Sequence, residues 1–200
     1  MSRVAFLPRP KARKIHQAAL RVLEQTGIWM EHAEGRELCC RAGAYVDGEG
    51  RICFPSGIVE NALRRAPRGW KLYDRDGLRP RRLPGGRTLF GPGSDALFQI
   101  DRYTGELRKS RLADVRDNVR LADGLASFDF IMSMALPEDV APEKLYPTVF
   151  AEMVCNTSKP LVVTATDGRD VEQIHAVASA AAGGAPRLRQ RPFFIAYLEP

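Results

Sequence analysis

Three side chains near the carboxyl-terminal end of the sequence combine the residue types that face a cation: the carboxylates of Asp167 and Glu199 and the aromatic ring of Tyr197. An ammonium group is attracted to a carboxylate and to the face of an aromatic ring, so Tyr197 beside Glu199 forms a candidate pair. Each of the three follows or ends a run of apolar residues that reads as a β-strand, and in barrels of alternating strands and helices those ends converge on one face. Other readings stay open. Asp167 directly precedes Gly168 and a helical stretch, the position of a helix N-cap, and Glu199 could pair with an arginine.

A second candidate is Gly91-Pro92-Gly93-Ser94-Asp95, which lies between short strand-like runs. Glycine permits close backbone approach to a ligand, which makes Gly91, Gly93 and Ser94 candidate binding positions. A plain tight turn is the alternative. The segment is not a phosphate-binding loop, because the lysine and following helix are absent. His16, His32 and His175 are isolated and read as structural or surface residues. Cys39, Cys40, Cys53 and Cys155 lack metal-knuckle spacing, and read as free, mostly buried thiols of a reducing cytoplasm. No metal site or acyl-transfer arrangement is expected.

The elements that must position these residues begin near Phe128. Phe128 to Leu136 is apolar, Glu143 to Val154 is helical, Pro160 to Ala165 is apolar, Asp170 to Ala182 is helical, and Pro192 to Leu198 starts a third strand. Leu161-Val162-Val163 and Phe193-Phe194-Ile195 are nearly continuous in apolar character, as expected of parallel strands buried on both faces. This predicts an α/β fold, an incomplete (βα)8 TIM-type barrel. A full barrel takes about 250 residues, and only about two and a half units fit between residues 127 and 200, so the chain reads as a fragment.

Residues 1–126 read as an N-terminal helical and antiparallel β extension. Ile15, Ala19, Val22 and Leu23 recur at helical spacing between Lys11 and Thr26, and Gly27 supplies a stop. A second helix is expected from Ala33 to Ala42, then a hairpin around Asp47-Gly48-Glu49-Gly50, and a third helix opening at Pro55-Ser56 and ended by Pro67. Trp70 to Tyr73, Thr88 to Phe90, Ala96 to Ile100 and Glu106 to Arg108 suggest an antiparallel layer. Ser110 is the expected cap of a fourth helix striped by Leu112, Val115, Val119, Ala122 and Leu125.

The formal charge of +6 comes mostly from scattered arginine. Arg79-Pro80-Arg81-Arg82 and Arg187-Leu188-Arg189-Gln190-Arg191 read as solvated loops rather than a nucleic-acid surface, because no aromatics are interleaved. No segment approaches the roughly 20 apolar residues of a membrane span, and Met1 to Pro8 is too short for a signal peptide's apolar region. A cytoplasmic location is expected. Asn156-Thr157-Ser158 matches a glycosylation triplet, which matters only in a secretory pathway.

Several strings, in order, resemble the trimethylamine methyltransferase family, corrinoid-dependent enzymes that demethylate trimethylamine, glycine betaine and related amines. They are Leu23-Glu24-Gln25-Thr26-Gly27-Ile28, Arg41-Ala42-Gly43-Ala44-Tyr45-Val46-Asp47, Ala66-Pro67-Arg68 with Leu72-Tyr73-Asp74-Arg75-Asp76, and Phe90-Gly91-Pro92-Gly93. Asp101-Arg102-Tyr103-Thr104-Gly105-Glu106, Asn156-Thr157-Ser158-Lys159-Pro160-Leu161 and the run from Arg191 to Pro200 complete the set. The resemblance implies a βα barrel behind an N-terminal extension, with the glycine-rich loop over the barrel mouth. It implies a methylated amine substrate and no directly bound cofactor, the methyl acceptor being the corrinoid (cobalamin) of a separate partner protein. An assembly of identical copies is compatible with it. An unrelated barrel enzyme and a non-catalytic scaffold fragment are the rival readings.

Overall fold

The computed structural model describes residues Leu7 to Leu198. The candidate Glu199 and the amino-terminal residues Met1 to Phe6 lie outside them. The chain divides into two compact units, the first ending at Pro67 and the second beginning at Arg68.

In the first unit, helix α1 (Arg9–Gln25) carries proline in its first turn, where a missing N–H costs nothing. It ends at Gly27, whose φ of +68° and 2.6 Å separation between a would-be Cβ and the Ile52 carbonyl oxygen exclude a side chain. Helix α2 (Ala33–Arg41) is capped by His32, whose ring nitrogen accepts the Gly35 N–H at 3.1 Å. Strands β1 (Tyr45–Val46) and β2 (Ile52–Cys53) form the expected hairpin, its turn held by Asp47, whose Oδ1 accepts the Glu49 and Arg51 N–H groups. Helix α3 (Ser56–Arg65) follows.

The α1 stripe is corrected in one respect: Ile15, Ala19 and Val22 are exposed, and the half-buried face is His16, Leu20 and Leu23. That face is the one fixed by neighbours. His16 Nε2 meets Glu60 Oε1 of α3 at 2.7 Å, and the Leu23 carbonyl accepts the Phe54 N–H.

In the second unit, the expected antiparallel layer is two separate hairpins. Strand β3 (Trp70–Leu72) pairs with β4 (Arg81–Leu83), and β5 (Phe98–Ile100) with β6 (Leu107–Lys109). Arg81 and Arg82 therefore sit in a strand rather than a loop, because the ladder to Leu72 and Lys71 fixes their backbone. Thr88 to Phe90 is not a strand. Its Phe90 exchanges hydrogen bonds with Asp129 instead: its N–H donates to the Asp129 carboxylate at 3.1 Å, and its carbonyl accepts the Asp129 N–H at 2.6 Å.

Helix α4 (Leu112–Gly124) buries Val115, Val119 and Ala122, as its stripe predicts. Its cap is not Ser110, which is buried and donates to the Ala96 carbonyl at 2.7 Å. Arg111 takes the cap position, and the first-turn amides donate to carboxylates: Arg111 N–H to Asp114 and Leu112 N–H to Asp139. At the other end Lys159 Nζ donates to the Ala122 and Leu125 carbonyls, a cation placed on the negative end of the helix dipole.

The remaining order is a short 3-10 turn (Pro142–Lys144), α5 (Leu145–Asn156), β7 (Leu161–Ala165), α6 (Gly168–Ala182), α7 (Ala185–Gln190) and β8 (Phe194–Leu198). Strands β7 and β8 are parallel, with Leu161 opposite Phe194 and Thr164 opposite Tyr197. The expected first strand, Phe128 to Leu136, is reduced to one parallel bridge between Ile131 and Leu161. Met134 has a φ of +57°, which breaks the extended course, and the Met134 and Leu136 N–H groups go to the Gly93 and Ala96 carbonyls. Helix α7 also corrects an expectation, since the Arg187 to Arg191 cluster lies mostly on it and buries Leu188.

The core joins α4, α5, α6 and α7 to one face of the parallel strands through Val115, Phe150, Leu161, Val163, Ile174 and Leu188. Phe150 stacks on Phe193 with centroids 6.4 Å apart. This is an α/β arrangement, and no closed sheet is formed among the described residues. Among the described residues, no helix is long and apolar enough to cross a membrane.

Candidate functional site

Side chains alternate along a strand. Leu161, Val163 and Ala165 of β7 point into the helical core, so Val162 and Thr164 lie on the opposite face. Residues in register on adjacent strands share a face, which puts Tyr197 beside Thr164. Tyr197 keeps half of its surface exposed, whereas Thr164 is buried.

The glycine-rich segment lies on the same side. Its course follows residues 129–136: Phe90 bonds to Asp129, Gly93 O accepts the Met134 N–H at 3.2 Å, and Ala96 O accepts the Leu136 N–H at 2.9 Å. Gly91 is required by contact, because a Cβ there would lie 2.3 Å from the Phe130 ring. Gly93 is exposed with open space around it, and Ser94 is half-buried. Asp95 then adopts φ +57°. Its N–H donates to Ser133 Oγ at 3.3 Å, and its Oδ2 accepts the Thr164 hydroxyl at 2.8 Å.

An ion pair between the exposed Arg87 and the buried Asp129 fastens the start of this segment. Asp129 is 6% exposed and receives both terminal nitrogens of Arg87, one at 2.9 Å, together with the Phe90 N–H. The Arg87 guanidinium holds the Asp129 carboxyl below its usual range, against the opposing effect of burial.

The sequence candidates are therefore only partly brought together. Gly91, Gly93 and Ser94 share a segment whose next residue touches Thr164, the register partner of Tyr197. Asp167 is the exposed N-cap of α6, its Oδ1 accepting the Asp170 N–H at 2.9 Å. Asp170 is buried and accepts the Thr166 N–H and hydroxyl. Residues that sequence reasoning did not single out are Asp95, Ser133 and Thr164. Asp95 stood in the glycine-rich string, but its partners are 38 and 69 positions away.

Of the cysteines, all free, only Cys53 is buried; Cys40 and Cys155 are exposed, against the expectation of mostly buried thiols. Cys40 and Cys155 sit on helix surfaces turned away from their packed faces. No cluster of histidine, cysteine and carboxylate suited to a metal occurs among the described residues.

What the arrangement can do is bind a cation: a half-buried carboxylate, a hydroxyl and an aromatic ring occupy one face of a parallel pair. The family model described as trimethylamine methyltransferase matches residues 1–199. A trimethylamine methyltransferase of Desulfitobacterium hafniense is 32% identical over 187 residues, covering 93% of this chain and 38% of that protein. A glycine betaine methyltransferase of Desulfitobacterium hafniense is 26% identical, covering 96% of this chain and 40% of its own length. A trimethylamine methyltransferase of Methanosarcina thermophila is 29% identical, covering 93% and 40%. The chain spans about two fifths of the length of these curated relatives. With a family match running from its first residue to Glu199, the chain belongs to the trimethylamine methyltransferase family.

Proposed function

We propose that this chain is the amino-terminal part of a methyltransferase that moves a methyl group from a tertiary or quaternary amine, of the trimethylamine or glycine betaine kind, to the corrinoid of a separate protein. The observation that carries the reading is the family match along the chain, with relatives named for both amines. In this reading the segment bridged at Ile131 and strands β7 and β8 belong to the first units of a (βα)8 barrel, and the protein works in the cytoplasm.

The chemistry needs a methylated nitrogen fixed so that one methyl points toward the acceptor, with water kept away. The corrinoid supplies the group that accepts the methyl. This chain's residues orient the amine. Tyr197 offers a ring face, Gly91, Gly93 and Ser94 form a loop on the same side, the carboxylate of Asp167 follows the end of β7, and Glu199, outside the described residues, is assigned to the same role from the sequence alone. The partner corrinoid protein docks over that end.

The test is methyl transfer by the protein encoded by the whole reading frame, mixed with its cognate corrinoid protein and followed by the change in cobalamin absorbance. Trimethylamine or glycine betaine should drive methylation. No methylation with either, or with related methylated amines, would refute the reading.

A further inference from the structure

We infer that Asp95 supplies the carboxylate that seats the cationic nitrogen, with Thr164 holding it in place and Tyr197 walling one side. The inference rests on the amine reading above and adds the residue that recognises the charge.

Among the described residues, the other aspartates around the parallel strands are committed elsewhere. Asp129 is neutralised by Arg87. Asp170 accepts two donors from Thr166 and is buried. Asp167 caps a helix and is exposed. Asp95 differs from all three. It is half-buried, its carboxylate accepts one neutral hydroxyl at 2.8 Å, and among the described residues no lysine, arginine or histidine pairs with it. A partly buried charge without a counter-charge is unfavourable unless a cation arrives to compensate it.

The backbone holds this carboxylate in place before any ligand binds. A φ of +57° is tolerated by aspartate better than by most residues. The conformation is fixed on one side by the Met134 N–H on Gly93 O and on the other by the Asp95 N–H on Ser133 Oγ. Thr164 orients Oδ2 and leaves Oδ1 to a ligand. Its register partner Tyr197 lies one strand over, about 5 Å away along the sheet, and exposes half its surface. Carboxylate and ring together suit an alkylated ammonium, which has charge without hydrogen-bond donors and so gains from a ring face.

The experiment titrates the 200-residue chain with tetramethylammonium chloride, using sodium chloride at equal ionic strength and neutral tert-butyl alcohol as comparisons, and follows amide and ring resonances by NMR. Saturable shifts at Thr164 and Tyr197 are expected with tetramethylammonium alone. Asp95→Asn should weaken binding about tenfold or more, and Tyr197→Leu several-fold, on the order of a lone cation–ring contact. Glu172→Gln, which removes one exposed charge from α6, should bind as the wild type does. The inference is overturned if the wild-type chain shows no saturable binding, or if Asp95→Asn binds equally well. Should Asp95→Asn lose its folded spectrum, Thr164→Val and Tyr197→Leu decide, and unchanged binding in both overturns it. Failure of methyl transfer with Asp95-dependent binding intact would remove the amine-demethylation reading alone. Methyl transfer that survives Asp95→Asn would remove only the assignment to Asp95.

Discussion

At the residue scale the ion pair between Arg87 and Asp129 is the fastening of the candidate site. Asp129 is buried while the Arg87 side chain is 65% exposed, so the two halves of the pair are not equivalent on removal. Arg87→Ala leaves the buried Asp129 carboxylate without its counter-charge and is expected to be the more destabilising of the two changes. Asp129→Asn keeps the shape and loses less. Urea denaturation of the two variants should rank them in that order. Gly91→Ala places a methyl group against the Phe130 ring, and either the ring or the segment must move. Faster amide exchange at residues 90–96, measured by hydrogen exchange, is the expected outcome. Glycine-rich character was legible in the sequence, whereas the need for glycine at position 91 was not, because Phe130 is remote from it along the chain.

At the element scale, helix ends are held by residues distant in sequence. The carboxyl end of α4 is closed by Lys159 on two carbonyls. Lys159→Met keeps the stem and removes the donors, so a loss of about 1–2 kcal/mol is expected in thermal unfolding. Helix α7 makes the complementary case. Its arginines dominate the local sequence and suggest a solvated loop, yet Leu188, its one buried residue, anchors it in the core at 5% exposure. Leu188→Ala should cost about 2–4 kcal/mol, measurable by chemical denaturation, while charge changes at Arg189 should cost little. Such a helix is hard to read because one buried side chain in six residues gives no period.

At the scale of the whole molecule, several aspartates are held ionised by arginine. Asp101 is lowered to about 2 chiefly by the hydrogen bond it accepts from Arg108, which also donates to Asp114. Asp114 and Asp129 are lowered for the same kind of reason. A carboxylate with a depressed folded pKa stabilises the fold above its unfolded value, near 4, and loses that contribution as pH falls through the folded value. Stability measured by urea titration should therefore be flat near neutrality and fall between about pH 4 and pH 2. Asp101→Asn should show a shallower acid slope than the wild type.

The sequence by itself determined the kinds and order of elements: the helices from Arg9 to Arg65, the β1 and β2 hairpin, and the alternation of α5, β7, α6 and β8. Those follow from periodicity, capping and turn chemistry, which act over a few residues. It also carried the family, through short strings in a fixed order. Only the tertiary structure decided that residues 128–136 divide their hydrogen bonds between β7 and the glycine-rich segment instead of forming a strand. It likewise decided that α1 turns His16, Leu20 and Leu23 inward, and that Asp95 meets Thr164. The reason is the same each time: the partner that fixes the outcome lies tens of residues away, where no local pattern can register it.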